Sequence, residues 1–358
     1  MPLTPGPHGS TALPDLSDLG FDDRWAALLA DAADPTGAAE PARVLRDDRG
    51  SVYAAGATWE RRLHLRNDLA AVAGDWIAVR DGTAVAVLPR ATTLARPRPD
   101  GTPQVLAANV DLVGLVHGLD IPLNRRRLER GMVLAWESGA IPVVLLTKSD
   151  LTEDVEAVEA EARASAPGTE VLTLSTVDGR GLEALAAQLR PNRTLALLGA
   201  SGAGKSSLVN ALLGNELLAT QDVRRGDHKG RHTTTHRELL TLPGGGVLLD
   251  TPGLRALSMA AADEGVGLAF PEIEELAVAC RFADCTHQHE PDCAVLAAVA
   301  DHSVSADRYE GWRRIRREAD SAALRADPAA FRKRAREWGR ASREAIRVKQ
   351  GGDRRGRE

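Results

Sequence analysis

An apolar run, Thr194 to Leu198, leads without a break into GASGAGKS, Gly199 to Ser206, and then into a helical stretch, Ser207 to Leu213. Strand, GxxxxGK[ST] and helix in that order mark a phosphate-binding loop. No other feature limits the possible folds so sharply. The glycines let successive backbone N–H groups converge on phosphate oxygens, and the helix start adds the positive end of its dipole. Lys205 is placed to neutralise β- and γ-phosphates and Ser206 to hold Mg²⁺, with Gly199, Ala200, Ser201, Gly202, Ala203, Gly204 and Ser207 completing the expected cradle. Around the loop, buried-strand runs (VDLVGLVHGL, IPVVLLTKSD, EVLTLST, GGVLLDTPG) alternate with helical stretches. That rhythm predicts an α/β unit with a mostly parallel sheet.

Two of these runs end in further motifs. DTPG, Asp250 to Gly253, begins 44 residues after Ser206. There Asp250 can reach Mg²⁺ through water, and the N–H of Gly253 can sense the γ-phosphate. TKSD, Thr147 to Asp150, ends the strand IPVVLL. The Asp150 carboxylate can accept from N1–H and the exocyclic amine of guanine, a pair that adenine does not present. The stem of Lys148 can lie along the base, and Ser149 belongs to the same turn. Thr147 stands where asparagine is more usual, which leaves open how the loops are braced. Ser175, in LST, is expected to back the guanine carbonyl through its backbone. In GRHTTT, residues 230 to 235, Thr234 is expected to complete the Mg²⁺ shell, with Thr233 and Thr235 as alternatives. After DTPG comes Leu254, not a water-orienting glutamine. Intrinsic turnover should therefore be slow, and His232 is a candidate for orienting the water.

The order of motifs adds a topological demand. In an ordinary small GTPase the phosphate loop comes first and the base-reading motif late. Here the chain runs TKSD, Ser175, phosphate loop, GRHTTT, DTPG. One site can be assembled from that order only by a circularly permuted domain. The segment after Gly253 then leads directly into the cysteine-containing part of the chain.

All three cysteines fall within CRFADCTHQHEPDC. Cys280, Cys285, His287 and Cys293 form a Cys₃His set suited to one closed, structural Zn²⁺ site, with His289 as the alternative nitrogen ligand. Three cysteines and a start, MPLTPGPHGS, with neither basic nor apolar character argue against a secreted, disulfide-stapled protein. A cytoplasmic chain is expected. It has no run approaching the roughly 18 apolar residues of a membrane span, and it is expected to work as a monomer.

Upstream of the α/β region, residues 42 to about 94 show period-two runs (ARVLRD, SVYAA, RRLHL, DWIAVR, TAVAVL). Five short strands over that length fit an OB-fold β-barrel better than a sandwich. Domain boundaries follow: 1–40 a mobile leader with one short helical pattern at Phe21 to Ala30, 41–100 the OB-fold domain, 101–266 the permuted GTPase domain, and 267–358 a helical zinc-binding domain with a basic tail. Pro328 to Gln350 reads as helical. From Arg308 to Glu358 there are 17 Arg and Lys against 8 Asp and Glu, whereas the whole chain is −5. A basic end on an acidic body suits contact with a polyanion such as RNA. Aromatics make up only 3%, too few for recognition mainly by base stacking. Only five lysines occur, and Lys148 and Lys205 both fall in nucleotide motifs. Intact Lys205, Ser206 and Asp250 argue against a vestigial nucleotide site, and Asp150 argues against an ATP-dependent kinase.

Over residues 42 to 320 the chain resembles the ribosome small-subunit-dependent GTPase A family, also called RsgA or YjeQ. The resemblance rests on TKSD, GASGAGKSS, GRHTTT and DTPG in permuted order, together with CRFADCTHQHEPDC. It implies an N-terminal OB-fold β-barrel, a circularly permuted P-loop GTPase domain and a C-terminal helical zinc-binding domain. It further implies GTP and GDP as ligands and the 30S ribosomal subunit with its rRNA as partner. Hydrolysis would be stimulated by that subunit late in its maturation and coupled to release.

Overall fold

A computed structural model describes residues 15–32, 39–48, 50–66, 68–98, 102–214, 238–250 and 263–326. His232, Thr233, Thr234, Thr235, Gly253, Leu254 and the basic segment beyond residue 326 lie outside the described residues, and of Asp250 only the backbone is described.

Five strands near the start form a closed barrel: β1 (Glu40–Asp48), β2 (Ser51–Gly56), β3 (Glu60–His64), β4 (Trp76–Arg80) and β5 (Thr83–Val87). β1 pairs antiparallel with both β2 and β4, β2 pairs with β3, and β4 pairs with β5. A parallel bridge between Leu65 and Ala84 closes the ring. The circuit β1-β2-β3-β5-β4 is that of an OB-fold barrel, as the alternating runs predict. Alternate residues point inward, so Ala42 and Val44, Val52 and Ala54, Leu63, Ile77 and Val79, and Ala84 fill one core. The intervening residues Leu45, Ala55, Trp76 and Ala78 are apolar too and belong to a second core outside the barrel.

That outer face explains a correction. Residues 15–32, expected within a mobile leader, are packed against it. Helix α1 (Asp23–Ala32) buries Trp25, whose ring lies 6.0 Å from that of Trp76, while Phe21 meets Trp76 edge-on at 5.0 Å. Leu16 and Leu19 are buried in the same cluster. Arg43 crosses this junction with its guanidinium 5.0 Å from the Trp76 ring centroid. It donates to Leu19 O (3.3 Å), Asn109 O (3.1 Å) and Thr194 Oγ1 (3.3 Å). Burial pulls its pKa down to about 10. A hairpin that the sequence reading did not foresee, β6 (Thr93–Pro97) and β7 (Pro103–Ala108), follows the barrel.

The α/β unit then runs β8 (Leu112–Gly118), α2 (Arg125–Glu137), β9 (Ile141–Thr147), α3 (Val155–Ser165), β10 (Glu170–Thr173), α4 (Leu182–Gln188), β11 (Thr194–Gly199), α5 (Lys205–Leu213), β12 (Glu238–Thr241) and β13 (Val247–Asp250). Strand order is β10-β9-β8-β11-β13-β12, continuing through β1 into the barrel. All neighbours from β10 to β13 are parallel, and only β12 runs antiparallel. Every residue of β8 is buried, because helices cover both faces of a parallel sheet. Val113, Leu115, Val144 and Leu146 face Met132 and Val133 of α2. Leu112, Val116, Val143 and Leu145 face the side of Leu185 and Leu208, on α4 and α5.

The chain leaves β8 in one direction, to β9 and β10, then returns on the other side as β11. Such a reversal leaves a crevice at the carboxyl ends of the two strands, where open α/β sheets bind ligands. Four helices complete the described residues: α6 (Asp263–Ala269), α7 (Pro271–Ala277), α8 (Ala294–Ala300) and α9 (Ala306–Ala326).

Candidate nucleotide and metal sites

At the carboxyl end of β11 the chain turns through Gly199 to Gly204 and enters α5 at Lys205. Gly202 (φ 78°) and Gly204 (φ 88°) are left-handed, a conformation that side chains with a Cβ rarely adopt. Gly199 is needed for a different reason: a Cβ there would lie 2.5 Å from Val116 O on the neighbouring strand. No side chain caps α5, so its first-turn N–H groups, including those near Ser206 and Ser207, are left for a ligand. The Lys205 ammonium curls back over the loop and donates to Gly199 O (2.9 Å) and Ala200 O (2.6 Å). It is thus held beside the concavity in which the backbone donors converge.

TKSD closes β9 two strands away, and a single hydroxyl ties it to the loop. Thr147 Oγ1 lies 2.6 Å from Ala203 O and 3.2 Å from His117 O, both acceptors for its one proton. The bracing left open by threonine at this position is therefore made by a hydroxyl instead of an amide. Lys148 adopts a left-handed backbone (φ 59°) and pairs with Asp120 Oδ2 at 2.7 Å. Ser149 is buried, and its N–H donates to Leu174 O. Asp150 is exposed at the surface. Ser175 Oγ donates to Asp150 Oδ1 at 2.8 Å, which leaves Oδ2 without a protein partner among the described residues. The role expected of the Ser175 backbone needs correction. Its N–H donates to Arg180 O, and its buried hydroxyl instead orients the Asp150 carboxylate while accepting from the N–H groups of Val177 and Asp178.

A cleft of about 460 Å³ opens beside the phosphate loop, lined by His117, Asn124, Arg127, Gly199, Ala200 and Ser201 among others. Burial holds His117 below the usual imidazole range. His117 and Asp120 carried no sequence signal. Asp120 gains its meaning only from pairing with Lys148, 28 positions along the chain.

The second site lies between α7 and α8. Ligand atoms of Cys280, Cys285, His287 and Cys293 all lie within 4.8 Å of one another. His287 Nδ1 is 3.4 Å from the sulfurs of both Cys280 and Cys293, and those two sulfurs are 3.9 Å apart. A tetrahedron with metal–sulfur bonds near 2.3 Å and metal–nitrogen bonds near 2.0–2.1 Å has edges of roughly 3.5–3.8 Å. The donor set fits, and it could hold a zinc ion. His289 does not join the group. The Glu290 carboxylate gathers the intervening loop, accepting from the N–H groups of Thr286 (3.0 Å), Gln288 (2.9 Å) and His289 (3.1 Å). His287 itself is left-handed at φ 55°. Its carbonyl accepts from the Tyr309 hydroxyl, and its ring meets Trp312 edge-on at 5.6 Å, so α9 forms the back wall.

A sequence model of the RsgA GTPase family matches residues 87–260. A protein of Opitutus terrae named small ribosomal subunit biogenesis GTPase RsgA is 44% identical over 350 residues, covering 90% of this chain and 95% of its own length. This chain belongs to the RsgA GTPase family. Another RsgA, from Streptomyces coelicolor, is 43% identical over 94% of this chain and 96% of its own. Among solved structures, YjeQ from Thermotoga maritima superposes with a TM-score of 0.60 at 25% identity, covering 78% of this chain and 98% of that one. YloQ, described as a circularly permuted GTPase, gives 0.60 at 24% identity, covering 81% and 98%. The permuted strand order is therefore that of the RsgA family, and the family's activity is GTP hydrolysis. Among the described residues no helix is long and apolar enough to cross a membrane.

Proposed function

We propose that this RsgA protein binds the small ribosomal subunit late in its maturation, hydrolyses GTP faster when bound, and departs after hydrolysis. The observation that carries the reading is the Thr147 to Ala203 hydrogen bond, because it joins a base-reading motif and a phosphate loop into one site despite their inverted order. The relatives' shared name, small ribosomal subunit biogenesis GTPase, supports the choice of partner. GTP would lie with guanine at Asp150, Lys148 and Ser149, with the Ser175 hydroxyl holding the Asp150 carboxylate, and with phosphates over Gly199 to Ser207. Asp150 Oδ1 is fixed by Ser175, so the carboxylate meets the guanine edge already oriented. Lys205 would exchange its carbonyl partners for phosphate oxygens and stabilise charge on the transferring group. Mg²⁺, held by Ser206 and Thr234, would neutralise charge on the β- and γ-oxygens. Asp250 would reach Mg²⁺ through water, the N–H of Gly253 would sense the γ-phosphate, and His232 would orient the attacking water. Residues 41–100, 101–266 and 267–358 would act as barrel, permuted GTPase and zinc-binding units of a cytoplasmic monomer.

A first prediction tests the reading. The protein should hydrolyse GTP slowly and ATP negligibly, with GTP turnover rising when small subunits are added. Asp150→Asn should weaken GTP binding and favour xanthosine triphosphate, whose 2-position offers an acceptor. Equal use of ATP and GTP, or no response to subunits, would overturn it.

For the metal, a closed Cys₃His site assigns Zn²⁺ a structural role, joining α7 to α8 through Cys280, Cys285, His287 and Cys293. Metal analysis should give one zinc per chain. Cys285→Ser should lower that content and loosen residues 270–326 to proteolysis while nucleotide binding persists. Zinc-free, reduced protein with the same protease resistance would contradict the assignment.

A further inference from the structure

We infer that Asp120 is a positioning residue for guanine nucleotide binding, acting through Lys148; this rests on the reading of TKSD as the base site. Asp120 lies in the turn after β8, outside every motif the sequence displays. Its Oδ2 receives the Lys148 ammonium at 2.7 Å. The pair is partly open to solvent, at 39% and 29% side-chain exposure, so it borders the site and does not merely fill the interior.

Three details show that the arrangement is built. First, Gly118 leaves room for it. A Cβ at Gly118 would stand 2.5 Å from Asp120 Oδ1 and 3.3 and 3.5 Å from Lys148 Cδ and Cε. The lysine stem therefore lies across a bare backbone at the end of β8. Second, the turn is tied to the motif by its main chain, since Leu119 N–H donates to Thr147 O at 2.8 Å. Third, the Lys148 backbone is already left-handed at φ 59°, which leaves its side chain as the freedom still to be restrained. A free lysine loses rotamer entropy when it is ordered. Asp120 imposes that order before the nucleotide arrives, so less is lost on binding. The ammonium bond also holds the Asp120 carboxyl below its ordinary range, as expected for a pair formed in the ligand-free protein.

The test uses the full chain with its metal, fluorescent GDP and a GTP analogue, and a double-mutant cycle. Asp120→Ala should weaken both nucleotides about tenfold, and in turnover the loss should fall on KM more than on kcat. Asp120→Glu should recover most of the affinity. In a Lys148→Ala background, Asp120→Ala should add nothing. A merely structural surface pair would predict unchanged affinity, which overturns the inference, as does a full tenfold loss that persists without Lys148. Asp150→Asn separates the two levels. If it shifts preference toward xanthine nucleotides while Asp120→Ala is silent, only the role of Asp120 fails. If it shifts nothing, the base site and Asp120's role in it fall together.

Discussion

At Thr147 a hydroxyl stands where the motif more usually carries an asparagine, and its partner is the carbonyl of Ala203 inside the phosphate loop. Thr147→Val keeps the volume but leaves that buried acceptor unpaired, a cost of about 1–3 kcal/mol. We predict GTP affinity roughly tenfold lower in Thr147→Val and near normal in Thr147→Ser, measured by nucleotide titration. Equal affinity in the valine variant would show that the loops hold together without this bond. The case also marks how far the sequence could be read at single residues. Motif spacing singles out Asp150, Lys205 and the cluster Cys280, Cys285, His287 and Cys293, because each chemistry needs residue types at short, fixed intervals. Thr147 to Ala203 spans 56 positions, Lys148 to Asp120 28, and Ser175 to Asp150 25. Contacts of that length are made by strand order, and no local pattern announces them.

Elements were legible where periodicity was strong and obscure where proline or shortness broke it. The five barrel strands and the buried runs of the parallel sheet follow directly from periods of two and from unbroken apolar stretches. The β6–β7 hairpin did not, since Arg96 to Pro103 carries three prolines and reads as a linker. In β7 the buried residues Leu106, Ala107 and Ala108 are consecutive, without the period of two that marks a barrel strand, and in β6 Leu94 is buried beside half-buried Thr93, Ala95 and Arg96. Helix α1 was visible as a pattern, but its docking was not. Ten residues with one tryptophan say nothing about the apolar outer face of the barrel that awaits them. Trp25 is 5% exposed, so Trp25→Ala should destabilise the protein by about 3 kcal/mol through the cavity beside Trp76. Urea unfolding followed through the remaining tryptophans would measure this. A change below about 0.5 kcal/mol, typical of surface positions, would mean that the segment is not docked in solution.

At the scale of the whole molecule, α2 is the shared element. Its first turns line the cleft beside the phosphate loop through Asn124, Arg127 and Leu128. Its opposite side carries Glu129, which is buried and paired with two arginines of α9, Arg308 (3.7 Å) and Arg314 (3.2 Å). A Cβ at Gly311 would stand 2.7 Å from the Glu129 carboxylate, so α9 needs glycine there to come this close. Arg308 is nearly buried as well, with its guanidinium 3.9 Å from the Phe270 ring centroid and bonded to Glu272, Ala269 O and Ser165 O. Helix α6 begins 13 residues beyond Asp250 and rests on α2 so closely that a Cβ at Gly265 would lie 2.5 Å from Val133 O. On the proposed function, nucleotide-dependent movement of the chain after β13 would pass through α6 to α2, and through Glu129 to α9 behind the Cys₃His cluster. On the proposed function, the GTP state should bind the small subunit more tightly than the GDP state, and the subunit must in turn favour GTP. On the same proposal the basic C-terminal sequence would add phosphate contacts whose strength falls with salt, so the comparison should be made at several salt concentrations. Arg308→Ala leaves Glu129 buried with one arginine, a loss of up to about 3–5 kcal/mol of stability. Thermal unfolding and metal content must therefore confirm that the variant is folded at the assay temperature. In that variant the affinity ratio between a non-hydrolysable GTP analogue and GDP should shrink toward one while nucleotide binding persists. Identical subunit affinities for the two nucleotides in the unaltered protein would refute the coupling, and an unchanged ratio in Arg308→Ala would show that it does not run through α2.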